Sequence, residues 1–147
     1  MSMKGYIRVG KIPSKVARLA GFTCNGDVFA CPGVYKHIVK KHAKQLGRNI
    51  IENLTPTIKS IISSPDFIGQ DPKKGCNSIE LVKYVGVFML LGLEVDPDEG
   101  YIYVASLYPI TEGKICSRLY NGRFIAITSI SKFKQVEKKL VTKECFQ

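Results

Sequence analysis

Apolar and polar residues alternate along GYIRVG at residues 5–10, and a β-rich stretch of period two predicts a short strand. KIPSKVARLAGF follows, with Ser14 placed as an N-cap, Val16 and Leu19 on one face and Gly21 as a stop, which predicts a short helix. Asn25-Gly26 is a turn signal, and DVFAC after it reads as a strand ending at Pro32, with Cys24 opposite Asp27 if the turn is a two-residue hairpin. The helical period then governs residues 33–47, broken at Gly47, and a second helix covers about residues 48–63 with an interruption at Pro56.

SPDFIGQDPKKG has the composition of an ordered loop or irregular strand. NSIELVKY reads two ways: Asn77 and Glu80 have capping-box spacing for a short helix, whereas the β-branched content suits a strand. The capping box tips the reading toward the helix. VGVFMLLGLEV and YIYVASLY flank the turn-rich DPDEG and predict a long antiparallel hairpin at the centre of a sheet. ITEGKICSRLYNGR reads as a basic irregular stretch, FIAITSI as a strand, and residues 131–142 as a final basic helix. The order predicts a single α+β domain over residues 1–147, helices packed on one face of an antiparallel sheet.

The chain carries 22 Lys and Arg against 12 Asp and Glu, a formal net charge of +10, which favours polyanionic partners such as nucleic acid. The N-terminus lacks an apolar leader and no apolar run approaches a membrane span, so a soluble, cytoplasmic protein with no membrane partner is expected. Five cysteines, with no CxxC pair and no zinc-finger spacing, point to free thiols and to no metal or other cofactor.

Both histidines lie in VYKHIVKKHAKQL, five residues apart. On a helix they diverge by about 140°, so they do not share a metal ion. His42 projects into the apolar stripe of Tyr35, Ile38, Val39 and Leu46 and is either a proton shuttle or a core histidine. His37 joins Lys36, Lys40 and Lys44 on the opposite face, with Lys41 at its border, where the choice is solvation or phosphate contact. Strict alternation from Tyr101 to Tyr108 places Ile102, Val104, Ser106 and Tyr108 on one face, and Tyr101 and Tyr103 on the other. Two hydroxyls therefore emerge together, followed by the cations Lys114, Arg118 and Arg123, the last after an Asn121-Gly122 turn.

Four segments in this order, HIVKKH, IISSPDFIGQDPKKGCNSIELVK, YIYVASLYPI and KICSRLYNGRF, resemble the phage-associated branch of the barnase, EndoU, colicin and RelE-like nuclease superfamily over about residues 28–124, continuing more faintly to the N-terminus. The resemblance implies N-terminal helices on a four-stranded or slightly larger antiparallel sheet. It also implies metal-independent RNA cleavage by a toxin or phage-associated effector. Matched by residue, the helical His falls on His42, a Pro-Asp loop on Pro65 and Asp66, an Asn-Ser-Ile-Glu element on Asn77 to Glu80, a hydroxyl pair on Ser106 and Tyr108, and the Arg-containing end on Arg118 and Arg123. Ser106 stands where a Thr is common.

RNA carries its own nucleophile, the 2′-hydroxyl, so the protein must supply a base, an acid and cations. An unperturbed imidazole titrates near pH 6.5, which suits His42 to proton exchange. Glu80 is the second candidate base. Arg118 and Arg123, with Lys41, Lys83 or Lys114, would bind phosphate, while Ser106 and Tyr108 orient it. The expected partner is RNA, tRNA or mRNA, with an immunity or antitoxin protein as a further candidate. A non-catalytic RNA-binding module and a phage or mobile-element interaction domain are the alternatives on the same fold.

Overall fold

A computed structural model describes residues 5–22 and 26–127. The elements run β1 (Ile7–Lys11), α1 (Ser14–Ala20), β2 (Asp27–Ala30), α2 (Val34–Glu52), α3 (Leu54–Ser63), β3 (Phe67–Gly69), β4 (Ser78–Tyr84), β5 (Phe88–Val95), β6 (Ile102–Pro109), α4 (Glu112–Tyr120) and β7 (Phe124–Ala126). The class is α+β, as expected, but the sheet is larger than four strands and mixed. Seven strands lie in the order β1-β2-β6-β5-β4-β3-β7, and β2 runs parallel to β6 while every other pair is antiparallel. The three central strands, β4 to β6, are the long ones, and β5 and β6 are the hairpin that the sequence predicts around DPDEG. The flanking β3 and β7 have only three residues each; β3 lies in the stretch read as a loop or irregular strand, and β7 within the strand expected at FIAITSI.

Helices cover both faces. Val16 and Ala17 of α1, Ile38, Leu46 and Ile50 of α2, and Ile58, Ile61 and Ile62 of α3 bury against Ile79, Leu81, Leu91, Leu93 and Leu107. On the opposite face Ile115 and Cys116 of α4 pack with Phe67, Val82, Phe88, Leu90 and Phe124. Period-two alternation sends neighbouring residues of one strand to these two cores.

This double burial corrects the helical reading of NSIELVKY. Ser78 to Val82 are buried without interruption because β4 lies mid-sheet with a layer on each side. The capping box does not form: Asn77 ends a 3-10 turn and Glu80 turns to Arg123. The stretch after β6 is likewise not irregular but the helix α4. Thr111 caps it by accepting the Lys114 backbone N–H at 3.2 Å, and Ile115, Cys116 and Leu119 form its apolar side.

Smaller shifts occur earlier in the chain. Pro13, not Ser14, occupies the N-cap of α1, whose end at Gly21 is as expected. Asp27 pairs with Lys11 of β1, so β2 has a partner from before α1. The break at Gly47 is a kink inside α2, and α3 begins after Asn53 with Pro56 in its first turn. Cys31 is a free thiol and Cys76 is not in a disulfide, whereas Cys116 is disulfide-bonded, contrary to the all-thiol expectation. Cys24, Cys145 and the predicted helix at residues 131–142 lie outside the described residues.

Candidate active site

The strand β6 is not regular, and this decides the site. Gly92 of β5 pairs with Ser106 but Leu93 pairs with Val104, leaving Ala105 as an extra residue in a β-bulge. The extra residue inverts the alternation. Ile102, Val104 and Leu107 enter the core beneath α1 to α3, while Tyr103, Ser106 and Tyr108 share the α4 side of the sheet. Strict alternation therefore groups Ser106 and Tyr108 correctly with each other but wrongly with Ile102 and Val104, and it wrongly separates them from Tyr103.

On that face Glu80, Gly92 and Ser106 form one row across β4, β5 and β6, with Val82, Leu90 and Tyr108 in the next. Gly92 makes room: a Cβ there would lie 2.5 Å from the Ser106 Oγ. Glu80, Ser106, Tyr108, Arg118 and Arg123 all line one cleft of about 280 Å³. Five of the nine residues nominated from sequence thus meet, although they come from β4, β6, α4 and the turn before β7.

Glu80 is 7% exposed, and its two oxygens accept from Arg123 Nε and Nη2 at 2.8 Å each. This bidentate pair holds the guanidinium flat against the sheet. The bond to Glu80 raises the Arg123 pKa above its ordinary value, so that cation stays charged. Asp71 approaches the same guanidinium at 4.0 Å. Gly69 admits the Arg123 backbone, whose carbonyl oxygen occupies the space a Cβ at Gly69 would need.

Arg118 differs from Arg123. Its guanidinium carbon lies 5.4 Å from the centre of the Phe124 ring, and its buried Nη1 has no hydrogen-bond partner among the described residues. A buried cationic donor left unsatisfied carries a desolvation cost that a bound anion would remove.

His42 is half-buried on α2, outside the cleft lining but next to it. Its ring centre lies 6.0 Å from that of Tyr108, and its Nδ1 is 2.9 Å from the Gln45 side-chain oxygen. The helical projection holds, since His37, Lys36, Lys40, Lys41 and Lys44 are all exposed. His42 is thus at the border of the apolar stripe, neither a sealed core residue nor open to solvent.

The other cations do not converge. Lys41 lies on the outside of α2 and Lys114 on the exposed first turn of α4. Lys83 is on the opposite side of β4, where its Nζ donates to the Ser64 carbonyl and hydroxyl at 2.8 and 3.0 Å. Asp66 of the Pro-Asp loop is a structural carboxylate, 1% exposed and accepting the Tyr84 backbone N–H at 2.8 Å.

Lys73 and Lys74 enter the cleft instead, from a segment that composition marks only as a loop. The signal for them is DPKKG: Asp71 accepts the Lys73 backbone N–H at 3.0 Å, an Asx-turn that presents both lysines. Lys74 pairs with Glu94 at 2.8 Å, and burial with the Glu94 and Asp96 carboxylates raises the Tyr103 pKa above its usual value.

Among the described residues no three His, Cys, Asp or Glu side chains gather as metal ligands, and no helix is long and apolar enough to cross a membrane. A family model described as phage-Barnase-EndoU-ColicinE5/D-RelE like nuclease3 matches residues 7–117. The match begins earlier than the resembling segments and ends just before Arg118, so the two arginines of the cleft come from chain beyond it. Comparison with curated proteins and with solved structures finds no match. The residues matched make up more than half of the chain, which belongs to the phage-Barnase-EndoU-ColicinE5/D-RelE like nuclease family.

Proposed function

We propose that the protein is a metal-independent endoribonuclease that cleaves RNA, tRNA or mRNA, by attack of a 2′-hydroxyl on the adjacent phosphate. The observation that carries this reading is the buried, unpartnered Nη1 of Arg118 in a cleft that also holds the Ser106 and Tyr108 hydroxyls. An anion with several oxygens satisfies that guanidinium, and a phosphate in flight to a phosphorane gains charge there.

The remaining groups fill defined roles. Glu80 accepts the 2′-hydroxyl proton. Its oxygens keep lone pairs beyond those taken by Arg123, which holds the carboxylate in place. The freed 2′-oxygen forms a bond to phosphorus as the bond to the 5′-oxygen breaks, leaving a 2′,3′-cyclic phosphate. His42 protonates the departing 5′-oxygen. With Nδ1–H donated to Gln45 in both protonation states, the proton exchanged is the one on Nε2. Ser106 and Tyr108 orient the phosphate, and Lys73 and Lys74 bring the strand in. A toxin or phage-associated effector of this kind calls for an immunity or antitoxin protein as partner.

One observation favours a second reading, a non-catalytic RNA-binding module. Both Glu80 oxygens already accept from Arg123, as in a purely structural pair. The assay that separates the two is RNA cleavage in excess EDTA. Wild-type protein is expected to leave 2′,3′-cyclic ends. His42→Ala is expected to cleave about 10²- to 10⁴-fold more slowly, the usual worth of one acid or base, with RNA affinity retained. RNA that stays intact with wild-type protein yet binds it would establish the binding module.

A further inference from the structure

The outer face of α2 takes no part in the cleft, yet it is the most one-sided charge distribution among the described elements. From Val34 to Gly47 there are four lysines and no Asp or Glu. Lys36, Lys40 and Lys44 recur every fourth residue, a row with steps of about 6 Å along the axis. All three are exposed, and among the described residues none is in an ion pair. The carboxylate nearest in the chain, Glu52, shares a groove with Lys36 and Lys40 but is bound to Arg48 at 2.7 Å.

Like charges four apart on a helix destabilise it, so the row works against folding of α2 in isolation. Packing holds it nonetheless: Ile38 and Leu46 are buried, and Tyr35 bonds Thr55 of α3 at 2.6 Å. The same rigid segment carries His42 beside Tyr108, a wall of the cleft.

We infer that the Lys36, Lys40 and Lys44 row is an extended phosphate track that holds the RNA strand outside the scissile nucleotide. This rests on the cleft being an RNA site. Evenly spaced ammonium groups with no acidic residue between them in the chain match a repeating phosphate backbone. The apolar groove of Val39, Ile51, Leu54 and Pro56 flanks only Lys36 and Lys40, whereas the row runs on past it to Lys44, as a line of phosphates requires and a contact anchored in that groove does not. The enzyme would then act on long RNA in preference to short fragments.

The test measures binding of the full chain to a 2′-O-methylated RNA oligonucleotide long enough to run from the cleft along α2. Such RNA has no nucleophile, so binding reads separately from cleavage. Replacing Lys36, Lys40 and Lys44 together by Gln, a residue of similar helix propensity, is expected to preserve the thermal transition. It should lower the slope of log K against log salt by about 2, at about 0.7 per phosphate contact on a single strand. A variant with Lys11, Lys15 and Lys59 changed to Gln removes the same charge from β1, α1 and α3 and should leave the slope near that of the wild type. An unchanged slope in the α2 variant, or an equal fall in both, overturns the track. Wild-type protein that binds with the expected slopes but never cleaves unmodified RNA would leave the track standing and sink the nuclease reading.

Discussion

Arg118 and Arg123 are five residues apart and line the same cleft, yet their surroundings assign them different tasks. Arg123 spends two donors on Glu80, and the pair is largely buried, at 20% and 9% side-chain exposure. Removing one partner of such a pair strands the other charge. Arg123→Ala is therefore expected to destabilise the fold by about 3–5 kcal/mol, with the midpoint of urea unfolding as the measurement. A midpoint within error of wild type would show that Glu80 finds water or another cation instead. Among the described residues Arg118 has no carboxylate partner to strand, and a cation over an aromatic face contributes only about 0.5–1 kcal/mol at a part-exposed site. Sequence lists both as basic residues near a turn. Only their neighbours, Glu80 from 43 positions earlier and the Phe124 ring, tell them apart.

At the scale of elements, two interruptions of regular structure do most to place the site. The bulge at Ala105 turns Ser106 and Tyr108 to the α4 side, and no residue preference announces it. The kink at Gly47 was legible, because glycine inside a helical period marks a break. Its φ of 79° and ψ of 162° belong to a region that essentially only glycine occupies. A Cβ at Gly47 would meet nothing within 4 Å, so the whole effect of Gly47→Ala is backbone strain. That change is expected to cost about 1–3 kcal/mol, read as a lowered thermal midpoint. An unchanged midpoint would mean that α2 straightens through residue 47 without penalty.

Across the whole molecule, the sheet divides labour between its faces. The α1 to α3 side holds the larger apolar core, and the α4 side pairs a smaller core with the charged cleft. A net charge of +10 on a chain of this size favours the approach of a polyanion such as nucleic acid. If the cleft cuts RNA inside a cell, inducing the wild-type chain should depress growth, while His42→Ala expressed to the same level should not. Equal growth of the two strains, at matched protein levels, would remove the toxin part of the proposal.

Sequence by itself determined the α+β class, the central hairpin, the outward direction of His37 and the lysines, and the pairing of Ser106 with Tyr108. Each of these follows from a period carried by several consecutive residues or from a strong turn signal. The same patterns left β3 between loop and irregular strand, made β4 a helix and α4 an irregular stretch, and counted Lys83 and Lys114 with the site. Tertiary structure decided those points, because burial on both faces overrides local capping signals and a single bulged residue reverses which face a side chain joins. It alone brought Lys73, Lys74 and Glu80 beside Arg118, since a cleft assembled from β4, β6, α4 and two loops has no period for a sequence to display.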